Sequence, residues 1–420
     1  MGGGLLQLVA YGAQDVYLTG NPQITFFKVV YRRHTNFAIE AIAQTFNGTP
    51  GYGNRVTCQI SRNGDLVHRM YLSLKIPTGN TIDFCTFYGL RLINFVEIEI
   101  GGQKIDKHYS HWLYVWNELS LPKSKRDGYN KMVGQLGGPL ADQTLYVPLE
   151  FWFCRNVGLA LPLIALQYHE VKINIQFETA ALCRGAGTDP TSSAFPNATL
   201  WVDYVFLDTD ERRRFAQLSH EYLIEQLQFT GSESISSTKL NSKLSFNHPC
   251  KELVWFASKK SVASGTTQQV TNNNWFNYTT TENAITLSNS FYNKNTLHSK
   301  AFSSSAITAM NPITTAKLIL NGNDRFSARP GSYFNLVQPF QHHENVPTNA
   351  GINVYSFALK PEEHQPSGTL NMSRIDTATL SLDLNASLTA TDMSSTLNVY
   401  AVNYNVLRIL SGMGGLAYSN

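Results

Sequence analysis

The chain is 420 residues long, with 33 Lys plus Arg against 30 Asp plus Glu, 15% charged, 12% aromatic and 43% hydrophobic residues. That length supports two or three domains at roughly 150 residues each, and so apolar and charge-poor a balance excludes an intrinsically disordered chain. A net charge of only +3 excludes packaging of nucleic acid by bulk electrostatics, which takes a strongly basic face.

The first residues lack the basic flank and apolar run of a secretory signal, and Leu6 stands where a myristoylation pattern needs Ser or Thr. Downstream, alternating stretches recur: Val96-Glu97-Ile98-Glu99-Ile100, Val171 to Phe177 (VKINIQF) and Leu380-Ser381-Leu382-Asp383-Leu384. Period two with one apolar face marks strands packed on one side against a core. Turn formers separate them at Asn63-Gly64, Gly101-Gly102, Asn321-Gly322 and Ser411-Gly412. Helices are expected at His111 to Leu119 and at Asp210 to Leu218, the latter behind Asp208 or Thr209 as cap. The longest apolar run, Val157 to Leu166, is too short for a membrane span and holds a Pro.

Six blocks recur in the same order in the two halves, the pattern of a duplicated domain. Leu66 to Ile76 answers to Leu253 to Ala257, Val96 to Asp106 to Ala316 to Phe326, and Tyr109 to Leu119 to Ser332 to Phe340. Tyr146 to Phe153 then answers to Asn353 to Leu359, Val171 to Phe177 to Ala378 to Leu384, and Trp201 to Leu207 to Leu397 to Asn403. The expected organisation is an arm at 1–23, a first β-domain at 24–210, a connection at 211–222, and a second β-domain at 223–420. The second copy carries a tract rich in Ser, Thr and Asn at 261–310, expected as an exposed surface loop.

Reaction chemistry is not indicated. His108 with His111, His169 with Glu170, and His342-His343-Glu344 match neither HExxH nor a barrel metal site, and read as surface or strand-edge histidines. No nucleophile elbow, phosphate loop or dinucleotide fingerprint occurs, so catalytic, metal and cofactor residues are all expected to be none. The five cysteines are scattered and read as reduced, buried thiols. The basic runs Lys123 to Arg126 and Arg212 to Arg214 read as solvated helix faces. Five N-x-[ST] patterns occur, and Asn277, inside the polar tract, is the candidate glycan acceptor. In the same tract Trp275 and Phe276 are either sugar-stacking aromatics, as in a lectin-like module, or buried anchors of the loop.

Leu8 to Arg33, Leu159 to Val171, Phe206 to Phe229, Asn321 to Phe334 and Asn403 to Asn420 together resemble the major capsid protein of large icosahedral DNA viruses infecting algae and amoebae. The resemblance implies an all-β double jelly roll, two eight-stranded antiparallel sandwiches with short helices in the connections. It also implies a homotrimer that imitates sixfold symmetry and tiles the capsid of a virion assembled in the host cytoplasm. Minor capsid and penton proteins are the implied partners, with an internal membrane beneath the shell, no direct nucleic acid, and covalent N-linked glycans on outward loops. Under that reading the protein is not an enzyme.

Overall fold

The computed structural model describes residues 3–185, 189–261, 275–279, 311–389 and 393–418. Met1–Asn36 and Phe37–Asn420 are separate compact units. The arm was expected to end at 23; it continues to Asn36, because 24–36 join no strand and Ile24, Phe26, Phe27, Val29, Val30 and Tyr31 all lie in solvent. Its helix α1 (Gly3–Val9) and the single turn Val16–Thr19 bury nothing.

The larger unit holds two lobes of the same construction. The first comprises β1 (Phe37–Gln44), β2 (Arg55–Gln59), β3 (Leu66–Lys75), β4 (Ile93–Ile100), β5 (Gln103–Tyr109), β6 (Thr144–Pro148), β7 (Val171–Phe177) and β8 (Asn197–Leu207). The second comprises β9 (His220–Phe229), β10 (Lys239–Leu244), β11 (Pro249–Ser261), β12 (Ile313–Leu320), β13 (Asn323–Asp324), β14 (Asn353–Ser356), β15 (Ala378–Leu384) and β16 (Met393–Leu410). The main paths through the four sheets run β1-β8-β3-β6, β2-β7-β4-β5, β9-β16-β11-β14 and β10-β15-β12-β13. Adding eight to every strand of the first lobe reproduces the second, and every pairing on these paths is antiparallel. Such interleaving of strands between two sheets is the jelly roll, so the duplication and the double jelly roll both hold.

Local chemistry accounts for the elements. Val171, Ile173, Ile175 and Phe177 in β7, and Ala378, Leu380, Leu382 and Leu384 in β15, alternate into the cores of their lobes. Both residues are left-handed in the turns Gly101-Gly102 (φ 57° and 84°) and Asn321-Gly322 (φ 49° and 79°), the two-residue geometry that suits the twist of a hairpin. Asn63-Gly64 differs: it bends without a positive φ.

The six block matches hold as strands but not all in register. Matching letters sets Trp201 against Leu397, yet Leu397 packs inside the second lobe, whereas Leu200 and Val202 face inward on β8 and leave Trp201 on the outer face. An odd offset is required, since slipping by one residue exchanges the faces of a strand.

Helix α2 (Ser110–Ser120) forms where expected, and so does α4 (Thr209–Gln217), which bridges the lobes with no buried residue and with Asp208 at its N-cap. Helix α3 (Lys123–Met132) was read only as a solvated charge run. Lys123 and Lys125 are exposed, but Arg126 is buried against Glu118 at 3.1 Å.

Candidate functional site

For a chain whose sequence offers no reaction centre, the informative site is the joint between the lobes. On β11 every residue from Lys251 to Ser258 is buried, so neither face of this strand meets water. Leu253, Trp255 and Ala257 point into the second lobe's own core, together with Val399 and Ala401 of β16. Val254, Phe256, Tyr400 and Val402 point outward, yet they belong to the cluster that fills the first lobe. The outer face of sheet β9-β16-β11-β14 is therefore interior, and what covers it comes from the first lobe.

Helix α2 is the main cover. Trp112 packs on Tyr400 with ring centroids 5.6 Å apart, His111 on Phe256 at 5.6 Å, and Tyr109 at the end of β5 meets Phe229 edge-on at 5.0 Å. Strand β9 abuts β5: the Leu227 N–H donates to Asp106 Oδ1 at 3.0 Å, and Gln226 Nε2 donates to the Ile105 carbonyl.

The joint is charged as well as apolar. Glu225 accepts Arg155 of the first lobe at 3.0 Å and Lys251 at 2.7 Å, and the Lys251 side chain is wholly buried. Arg155 also lies over the Trp116 ring at 3.9 Å. At the far end Glu118 of α2 accepts from Arg126 at 3.1 Å and from the Thr348 hydroxyl at 2.7 Å. Charges so far from water are tolerable only while each keeps its partner.

A third layer comes from the polar tract. The whole span 261–310 was expected outside, but Trp275 to Thr279 correct that: Phe276 and Tyr278 are fully buried. Phe276 stacks on Tyr114 at 4.8 Å, and Tyr278 stacks on Phe256 at 4.0 Å while its hydroxyl meets His111 Nδ1 at 2.8 Å. Gly351 lets the segment seat, because a Cβ there would lie 1.8 Å from the Tyr278 carbonyl oxygen. The physical reason is apolar area: an aromatic cluster gains more by entering the joint than its polar neighbours lose by following. Residues 262–274 and 280–310 lie outside the described residues.

The histidines read as surface groups are mostly interior. His108 is buried beside Asp106 at 2.9 Å. Burial, with Arg91 nearby, pushes the His111 imidazole down to about 3, so it packs as a neutral ring. The His343 side chain is wholly buried between Glu252 at 3.0 Å and Glu362 at 2.8 Å. Burial alone would lower it, but the two carboxylates outweigh that and raise it to about 9, while His343 holds the Glu252 carboxyl below its usual value. Among the described residues no three His, Cys, Asp or Glu come together as a metal cluster, and no helix is long and apolar enough to cross a membrane.

The candidate acceptor Asn277 sits half-buried between the two aromatic anchors, its Oδ1 accepting from the Thr279 N–H at 3.0 Å and hydroxyl at 2.7 Å. Trp275 is half-buried under Arg91, 4.2 Å from its ring centre. With Phe276 buried too, the pair offers no open platform for a sugar, and the lectin reading is not supported. The sequence signal missed was the unbroken apolar run Leu253 to Ala257, whereas Trp275 and Phe276 in their otherwise polar stretch take the second of their two readings, buried anchors of the loop.

Residues 25–208 match the family described as major capsid protein N-terminus, and residues 211–415 match large eukaryotic DNA virus major capsid protein. The chain is 52% identical to the major capsid protein of Pyramimonas orientalis virus and 47% identical to that of Paramecium bursaria Chlorella virus 1, each over the full length of both chains. It resembles the solved structure of PBCV-1 VP54 with a TM-score of 0.78 at 43% identity, covering 94% of this chain and all of that one. The Faustovirus major capsid protein shares the fold, at a TM-score of 0.74 and 13% identity. With two matching lobes joined through a buried interface and likeness of this extent, the chain belongs to the major capsid protein family of large eukaryotic DNA viruses.

Proposed function

We propose that three copies of this chain form a capsomer whose six similar lobes imitate a hexagon, and that these capsomers tile the icosahedral outer shell of a virion. The observation that carries this reading is the identical strand order of the two lobes. A threefold assembly of two-lobed chains presents six near-equal sides, and a closed ring of heterologous contacts limits its own size. The buried joint supports it further, since a ring transmits lattice forces only if its lobes cannot swing.

The role is structural, without catalysis. The partners proposed are other copies, minor capsid and penton proteins, and an internal membrane under the shell, with assembly in the host cytoplasm. The exposed apolar arm suits a segment covered by neighbours. Asn277 remains the proposed site of an N-linked glycan; intact-mass and peptide mass spectrometry of virion protein tests it, and an unmodified Asn277 peptide refutes it. Light scattering on the eluting protein tests the capsomer: three chain masses are expected, and a stable monomer at micromolar concentration overturns the reading.

A further inference from the structure

The joint inside the chain is a contact between two surfaces, and the duplication makes each of them twice. One is the outer face of sheet β9-β16-β11-β14, whose counterpart is the outer face of β1-β8-β3-β6. The other is helix α2, which follows β5; its counterpart is the π-helical turn Tyr333–Val337 running into α5 (Gln338–His342), which follows β13. Within one chain α2 of the first lobe covers the sheet of the second. The remaining pair, the sheet of the first lobe and the helix of the second, has no mate among the described residues of the larger unit.

Both unmatched surfaces carry the marks of a contact. Ala43, Trp201, Tyr71 and Pro148 line up across the outer face of the first sheet. Trp201 stacks parallel to Tyr71 at 6.4 Å, and Tyr146, 40% exposed, meets Tyr71 edge-on at 6.0 Å. That is an aromatic platform on a face a monomer would keep polar. On the helix, Phe334 and Gln338 point inward, whereas Val337 and Phe340 point out, Phe340 being 79% exposed. Val337 and Phe340, three residues apart, share that outward side, whereas Tyr333 packs against the second lobe's own core and its hydroxyl accepts from Gln338 Nε2 at 3.0 Å.

We propose that the outer face of β1-β8-β3-β6, centred on Tyr71, Tyr146 and Trp201, receives the Tyr333–His342 segment of a second copy. The contact repeats between chains the packing that α2 makes within one. It is heterologous, helix to sheet, so successive copies follow one another round a ring. This inference rests on the capsomer reading and specifies its contact surface.

Cross-linking tests it on the full chain. Tyr146→Cys and Phe340→Cys are prepared as separate proteins, mixed and mildly oxidised. An intermolecular disulfide is expected in the mixture and not in either variant alone. Phe340→Asp, a change at an exposed site, is expected to weaken trimer association at least ~10-fold with the circular dichroism spectrum unchanged. A trimeric wild type whose mixture gives no cross-link, or whose Phe340→Asp variant associates normally, overturns the contact and leaves the capsomer standing. Preferential linkage of Tyr146→Cys to Phe27→Cys would assign the face to the arm and also overturn it. A monomeric wild type removes the capsomer reading and the contact together.

Discussion

Strands β3 and β11 hold the same place in their lobes, yet β3 alternates from His68 to Lys75 between buried and more open positions while β11 is buried on both sides from Lys251 to Ser258. The difference is not in the lobe but in what lies against it. The face of the first lobe that its own chain leaves unroofed mixes Ser73 and Asp203 with Tyr71, Tyr146 and Trp201, whereas the face roofed by the other lobe fills with Val254, Phe256 and Tyr400. Two copies of one fold have diverged where one became floor to the other.

Mutations should separate the two faces. Under the roof, Glu225→Ala strands Lys251 and Arg155 in the interior, an expected loss of about 3–5 kcal/mol in denaturant unfolding. Phe256→Ala, opening a cavity where Tyr278, Tyr400 and His111 meet, should lose about 3–5 kcal/mol by the same measurement. A loss no larger than that of Trp201→Ala would refute the contrast. Gly351→Ala pushes a methyl into the Tyr278 carbonyl and should destabilise by about 1–3 kcal/mol, read as a lower melting temperature.

Acidity sharpens the comparison further. His111 is depressed to about 3 in the fold against ~6.5 unfolded, so its contribution is complete above the unfolded value and fades as pH falls towards 3. His343 is raised to about 9, so its contribution is complete below ~6.5 and fades as pH climbs through 9. The melting temperature should therefore decline on both sides of neutrality, and His111→Phe should flatten the acid limb alone. The smallest effect belongs to the open face: Trp201→Ala should change the stability of the dissociated chain by under ~1 kcal/mol.

Much of the architecture could be read from the letters, because its signals are local. Alternation in VKINIQF and the glycines of two-residue turns declare themselves within seven residues. The joint could not, since whether Phe256 is an outward side chain or a core one depends on α2, some 140 residues earlier, consistent with a contact of long sequence separation. His111 looked like a surface group for the same reason, its partner Tyr278 lying 167 residues further on; His108 and Arg126 have partners nearby in the chain, Asp106 and Glu118, and what the letters hid was their burial. Trp275 and Phe276 were the legible exception, carrying the right alternative in their own composition.

The seating of Trp275 to Thr279 divides the long insertion of the second lobe into two spans, each fixed at both ends by the folded body. The contacts that seat the pentapeptide are made to Tyr114, Phe256, His111 and Asn349, none of which belongs to either span. Variation there is thereby partitioned: a virus of this kind could alter one stretch under selection while the bolt that locks its lobes together stays untouched.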